Sequence, residues 1–161
     1  KSVPSGLLIN MKLFIDSNVV LDFLLGRGDC ASVAKIFALA KKGKEVECVS
    51  SNSVTDILYT LTKSRKKANQ ELPEKERKTN KEVAKECGNL LSQFIQILCI
   101  LPVREDDIKG AFGLEWEDFE DALQYVVARE NDCDIIITSN VKDFEDAEIS
   151  VMSPKTFLES L

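Results

Sequence analysis

Short apolar runs alternate along this chain with longer stretches in which apolar residues recur every three or four positions. From Met11 onward, Lys12-Leu-Phe-Ile15 reads as a buried strand, because a short run with no polar alternation fits a strand covered on both faces. The next segment, Ser17 through Leu25, puts Val19, Val20, Phe23 and Leu24 on one helical face and stops at Gly26 and Gly28. A second helix is predicted from Cys30 to Lys42, with Val33, Ile36, Phe37 and Ala40 at helical spacing and Gly43 as its stop. The pattern then shortens to a strand at Glu47 to Val49. Ser50 to Ser53 supply capping residues for a helix that carries Val54, Ile57, Leu58 and Leu61 on one side and Asp56 in its first turns.

From Lys63 to Glu86 the chain is charged and poor in apolar residues. It reads either as a mobile loop or as two helices extended beyond the core, with helix resuming through Val83, Leu90, Leu91, Phe94 and Ile95. A third strand follows at Cys99 to Val103, a short helix at Glu105 to Ala111, and a longer helix from Trp116 to Asn131 with Asp121 near its start. After Asp134 come a fourth strand, a turn holding Asn140 and Asp143, a fifth strand at Ile149 to Met152, and a closing helix opened by Ser153-Pro154. Strands that alternate with helices predict an α/β fold: a three-layer α/β/α sandwich around a central, mostly parallel sheet of four to five strands. Residues 11–161 are expected to form one domain with a charged helical arm or loop at about 63–88. The ten residues before Met11 read as a cloning remnant or an upstream extension, without the apolar core of a secretory signal.

Composition narrows the chemistry. No apolar stretch approaches the length of a membrane span, so no membrane partner and a cytoplasmic location are expected. The 5 cysteines are odd in number and form no CxxC pair, which argues against a disulfide framework or a zinc ribbon. The chain holds 0 histidines, which removes histidine-dependent serine triads, histidine-based ribonuclease chemistry and zincins. A net charge of -6 counts against a tight nucleic-acid binder; it does not exclude a nuclease, because cations in an acidic pocket reverse the local sign. Four aspartates, Asp16, Asp56, Asp121 and Asp143, stand where strand and helix ends can deliver them to one pocket, Asp16 at the carboxyl end of the first strand. Such a cluster repels itself unless cations or protons neutralise it, and hard oxygen ligands favour magnesium or manganese.

The motifs Leu13-Phe-Ile-Asp16-Ser-Asn18, Ser51 to Asp56, Asp118-Phe-Glu-Asp121-Ala-Leu and Ile137-Thr-Ser-Asn140-Val-Lys-Asp143-Phe144, in that order, resemble the PIN-domain family of metal-dependent nucleases, which includes VapC-type toxins. The resemblance covers nearly everything from Met11 onward. It implies a metal pocket of Asp16, Asp56, Asp121 and Asp143 or Asn140, holding one or two Mg2+ or Mn2+ ions for hydrolysis of phosphodiester bonds in RNA. It also implies an RNA substrate, an antitoxin partner in a type II toxin-antitoxin pair, and a homodimer in which Leu24, Leu25 and Phe37 serve either the interface or the core. Asn18, Ser51, Asp118, Thr138 and Asn140, with Ser17, are expected to orient ligands. Lys63, Arg65, Lys66 and Lys67 are candidates for contact with the nucleic-acid backbone. The family's second acid is usually glutamate; here it is Asp56, one methylene shorter, and Asn140 stands where many relatives carry an acid.

Plainer readings stand beside these. Asp16 and Asp118 each suit a helix cap, Asp143 an Asx-turn, Trp116 packing, and the basic run from Lys63 a solvated helix face. A haloacid dehalogenase-type phosphohydrolase is a further alternative on Ile15-Asp-Ser-Asn-Val-Val20, although Asn18 replaces the acid that would donate the proton. A PIN fold that has lost efficient metal binding and serves as an RNA- or protein-interaction module is another.

Overall fold

A computed structural model describes residues 11–43 and 45–161; the expectation for the ten residues before Met11 lies outside the described residues. The strands are β1 (Met11–Ile15), β2 (Glu45–Ser50), β3 (Cys99–Leu101), β4 (Ile135–Ile137) and β5 (Ser150–Met152). The helices are α1 (Ser17–Leu25), α2 (Cys30–Lys41), α3 (Ser51–Gln70), α4 (Asn80–Phe94), α5 (Glu105–Gly113), α6 (Phe119–Glu130) and α7 (Pro154–Glu159). All strand pairings are parallel and the order across the sheet is β3-β2-β1-β4-β5.

Both faces of the sheet are covered, as an all-parallel sheet requires. Leu13, Ile15, Val49, Ile135 and Ile137 point to the side where α1, α2, α3, α4 and α7 pack. Phe14, Cys48, Leu101 and Ile136 point to the other side, against α5 and α6. The result is the expected three-layer α/β/α sandwich. Leu24 and Phe37 are buried within the first core and Leu25 packs against it.

The chain builds outward from β1 in one direction through β2 and β3, then returns to β1's other side for β4 and β5. This reversal makes a crevice beyond the carboxyl ends of β1 and β4, the place where open α/β sheets bind ligands. Ile15 and Ile137 are register partners across that junction, so Asp16 and Thr138 emerge side by side, and the Asp16 amide still donates to the Ile137 carbonyl at 3.0 Å.

Of the two readings of the charged segment, the structure has the pair of extended helices: α3 runs on to Gln70, a single 3-10 turn at Glu74–Glu76 follows, and α4 starts at Asn80 behind a capping box of Thr79 and Glu82. Several other boundaries differ from the sequence reading. β2 extends to Ser50 and α3 begins at once with Ser51, so Ser51 to Ser53 form its first turn instead of preceding it. The last long helix starts at Phe119 rather than Trp116, because Asp118 caps it and Trp116 packs on Tyr125 with ring centroids 5.1 Å apart.

Candidate active site

Asp16 caps α1 and also sits at the floor of the crevice, 2% exposed. Both of its oxygens have donors. Thr138 Oγ1 donates to Oδ2 at 2.8 Å, and Gln124 Nε2 donates to Oδ1 at 3.2 Å. Ser17 Oγ and the Asn18 amide stand at 3.4 Å from Oδ1. Burial raises the Asp16 carboxyl above its ordinary range, and these hydrogen bonds pull it partly back.

Helix α6 delivers the next groups. Asp118 is its cap, with Oδ1 accepting the Asp121 amide at 3.0 Å. Glu120 and Gln124, four residues apart and so on one helical face, both reach the start of α1. Glu120 Oε1 accepts the Ser17 hydroxyl at 2.9 Å, and Gln124 Oε1 accepts the Ser17 amide at 3.1 Å. Asp121 is half-buried, and burial followed by the fields of Asp16, Asp118, Asp143 and Glu120 pushes its carboxyl up to about 7. Glu120 is raised as well, by burial first and then by Asp56, Asp16 and Asp118, with the Ser17 bond opposing. Through these mutual fields the structure gathers Asp16, Asp118, Asp121 and Asp143, with Asp56 reached through Glu120.

The rest of the expected set occupies the rim or lies elsewhere. Asp56, Asp143 and Asn140 are exposed, and Thr138 is fully buried, its hydroxyl accepting the Asn140 amide at 3.1 Å. Asn18 is exposed at the start of α1. Ser51 is exposed, and its Oγ accepts the Val103 amide at 3.2 Å. Lys63, Arg65 and Lys67 are exposed and Lys66 half-buried on the outer part of α3, roughly 10 to 17 Å along the axis from Asp56 at 1.5 Å per residue. Arg65 lines a small groove with Val83 and Leu90 of α4.

Beside Asp121 an open cleft of about 740 Å³ runs from Trp116 and Glu117 across Asp118 to Lys142 and Asp143. Carboxylates dominate its walls, with Lys142 the one positive side chain there among the described residues. Among the described residues, no three carboxylates already stand as a closed cation cage, so the arrangement is an open, acid-lined mouth.

The sequence reading missed Glu120 and Gln124. A signal for the second was present: Gln124 interrupts the run Ala122-Leu-Gln-Tyr-Val-Val-Ala128, and a polar residue in the middle of a buried helical face needs partners.

Residues 12–142 match the family model of the PIN domain. The chain belongs to the PIN-domain family. This PIN domain is 30% identical over 156 residues to Ribonuclease VapC1 of Aquifex aeolicus (strain VF5), covering 92% of this chain and 94% of that one. Its fold is shared with the solved VapBC2 of Rickettsia felis bound to a DNA fragment from their promoter, with a TM-score of 0.63, 16% identity and coverage of 89% of this chain and 98% of that one. It is also shared with VapC20 of Mycobacterium tuberculosis, a sarcin-ricin loop cleaving toxin, with a TM-score of 0.53, 12% identity and coverage of 77% and 86%. With the family established, the haloacid dehalogenase alternative falls away.

Proposed function

We propose that this PIN domain is an endoribonuclease that hydrolyses phosphodiester bonds within RNA, and that it is the toxin of a toxin-antitoxin pair. The observation that carries the reading is the near full-length similarity to a VapC ribonuclease in a chain whose acids gather at the sheet's switch point. An antitoxin partner follows from the VapBC neighbour. A cytoplasmic location suits the 5 free cysteines, and among the described residues no helix is long and apolar enough to cross a membrane.

Asp16, Asp121 and Asp143, with Asp56 on the opposite rim, are the residues assigned to hold Mg2+ or Mn2+. The donor set fits: all are hard carboxylate oxygens, and the raised carboxyls of Asp121 and Glu120 owe their shift first to burial and then to neighbouring acids, a repulsion that a cation relieves. When bound, such ions supply an acidified water and a sink for charge on the phosphate. Asp16 contributes a carboxylate fixed by Thr138 and Gln124. Asp121 sits between it and the cleft that admits substrate. Lys142 is the nearest positive group on that cleft for a phosphate oxygen. Lys63, Arg65 and Lys67 remain candidates for the RNA backbone further out.

Single-stranded RNA incubated with the protein and magnesium is expected to be cut internally, with cutting lost in Asp16→Asn and in the presence of a chelator. Equal cutting by wild type and Asp16→Asn would refute the assignment.

A further inference from the structure

We infer that Gln124 is the positioning residue of this site: its buried amide sets the rotation of the Asp16 carboxylate and locks it to the start of α1, so that Asp16 meets a divalent cation with one oxygen already aimed. The inference rests on the metal-dependent reading above and concerns a residue outside the acidic set. Gln124 is 0% exposed, and each end of its amide is used once within the site. Nε2 donates to Asp16 Oδ1 at 3.2 Å, and Oε1 accepts the Ser17 amide at 3.1 Å.

The orientation of the amide is forced. Turned over, it would set its oxygen against a carboxylate oxygen and its NH2 against the Ser17 N–H, so both contacts would become repulsive. Thr138 holds the other oxygen, Oδ2, from β4. Asp16 is thus gripped from α6 and from β4 at once: Oδ1 is taken up by Gln124 and the start of α1, whereas Thr138 is the one donor to Oδ2 among the described residues, which leaves an acceptor position on Oδ2 for a cation. Glu120, one turn before Gln124, grips the Ser17 hydroxyl at 2.9 Å, so the same helical face that positions Asp16 also positions its neighbour. Packing alone does not account for a glutamine here. A buried amide carries a desolvation cost that an aliphatic residue in the run Ala122–Ala128 would avoid, and its only gain is the pair of bonds it makes at residues 16 and 17.

Groups that hold a ligand in place typically account for about 10- to 100-fold in metal affinity. Two variants separate positioning from packing. Gln124→Met keeps the volume and removes both bonds. Gln124→Asn keeps a neutral amide but shortens its reach by one methylene, so both bonds are lost with no charge added. Manganese titration by calorimetry, and thermal melting with and without manganese, are the readouts. Both variants are expected to bind Mn2+ at least about tenfold more weakly and to lose most of the stabilisation that Mn2+ confers on wild type, while kcat for RNA falls more than KM rises. A packing role would lower the melting temperature equally with and without the ion. Variants whose Mn2+ affinity stays within twofold of wild type would overturn the inference and leave the nuclease reading standing. A wild type that neither binds Mn2+ nor cuts RNA would overturn both. Should Gln124→Met fail to fold, Gln124→Asn decides the matter.

Discussion

Glu47 sits in the middle of β2 with 1% of its surface exposed, and among the described residues neither carboxylate oxygen has a hydrogen-bond donor. Burial, then the fields of Glu45 and Cys48, push its carboxyl from an ordinary value of 4.5 to about 9. Between those values the unfolded chain has released a proton that the folded chain must keep, so stability falls as pH rises from 4.5 to about 9 and levels off above. Glu47→Gln removes that dependence. The melting temperature of the variant relative to wild type should climb steadily from about pH 5 to about pH 8, and a constant difference would contradict the assignment of pKa. Asp121 obeys the same sign at the site: its carboxyl, raised to about 7, weakens the metal-free fold as pH rises from 3.8 to about 7. Asp121→Asn is therefore expected to melt higher than wild type near pH 7 without metal while losing RNA cleavage. Such a trade of stability for activity is common where like charges are held together for function. Of these residues, Asp121 was legible from its motif, whereas nothing in Glu45-Val-Glu-Cys-Val-Ser50 announced that Glu47 would be buried.

At the scale of elements, the long charged segment shows how little its composition reveals of its shape. Its helices are tied at the turn by Asn69, 5% exposed, whose Nδ2 donates to the Lys78 carbonyl at 2.8 Å and whose Oδ1 accepts the Lys78 amide at 2.9 Å. Val83, Cys87 and Leu91 of α4 and Ile57 and Leu61 of α3 carry the pair into the core. Asn69→Ala leaves two backbone groups of Lys78 without their partner, at a cost of about 1 to 3 kcal/mol. Hydrogen exchange at residues 70–80 should speed up in that variant while exchange in β1 and β4 stays slow. Uniform exchange across the chain would show that the turn is not an independent unit. Among the described residues the α-helices were readable from the sequence, the longer ones from apolar spacing and the last from Ser153-Pro154. Helix starts were not, because they are set by which polar side chain captures a free amide: Asp118 takes the Asp121 amide and so begins α6 three residues after the expected Trp116.

For the whole molecule, the net charge of -6 and the scarcity of positive groups at the mouth set how substrate is held. Binding through many phosphate contacts makes affinity fall steeply with salt, by a slope of about 0.7 per contact on single strands. Here the slope of log KM for RNA against log KCl at fixed magnesium is expected to correspond to about two contacts or fewer. A slope several times larger would point to the distant basic stretch Lys63 to Lys67 as a true RNA track. The sequence by itself determined the alternation of strands and helices, the two-sided burial of the sheet, and the family, because apolar periodicity and the order of the acidic motifs are local properties. Only the tertiary structure decided that Gln124 and Glu120 meet the start of α1 beside Asp16, and that Glu47 is stranded in the core. Those outcomes depend on strand order and helix rotation, which bring α6 against the first turn of α1 across more than 100 residues of chain, a distance over which no local pattern carries information.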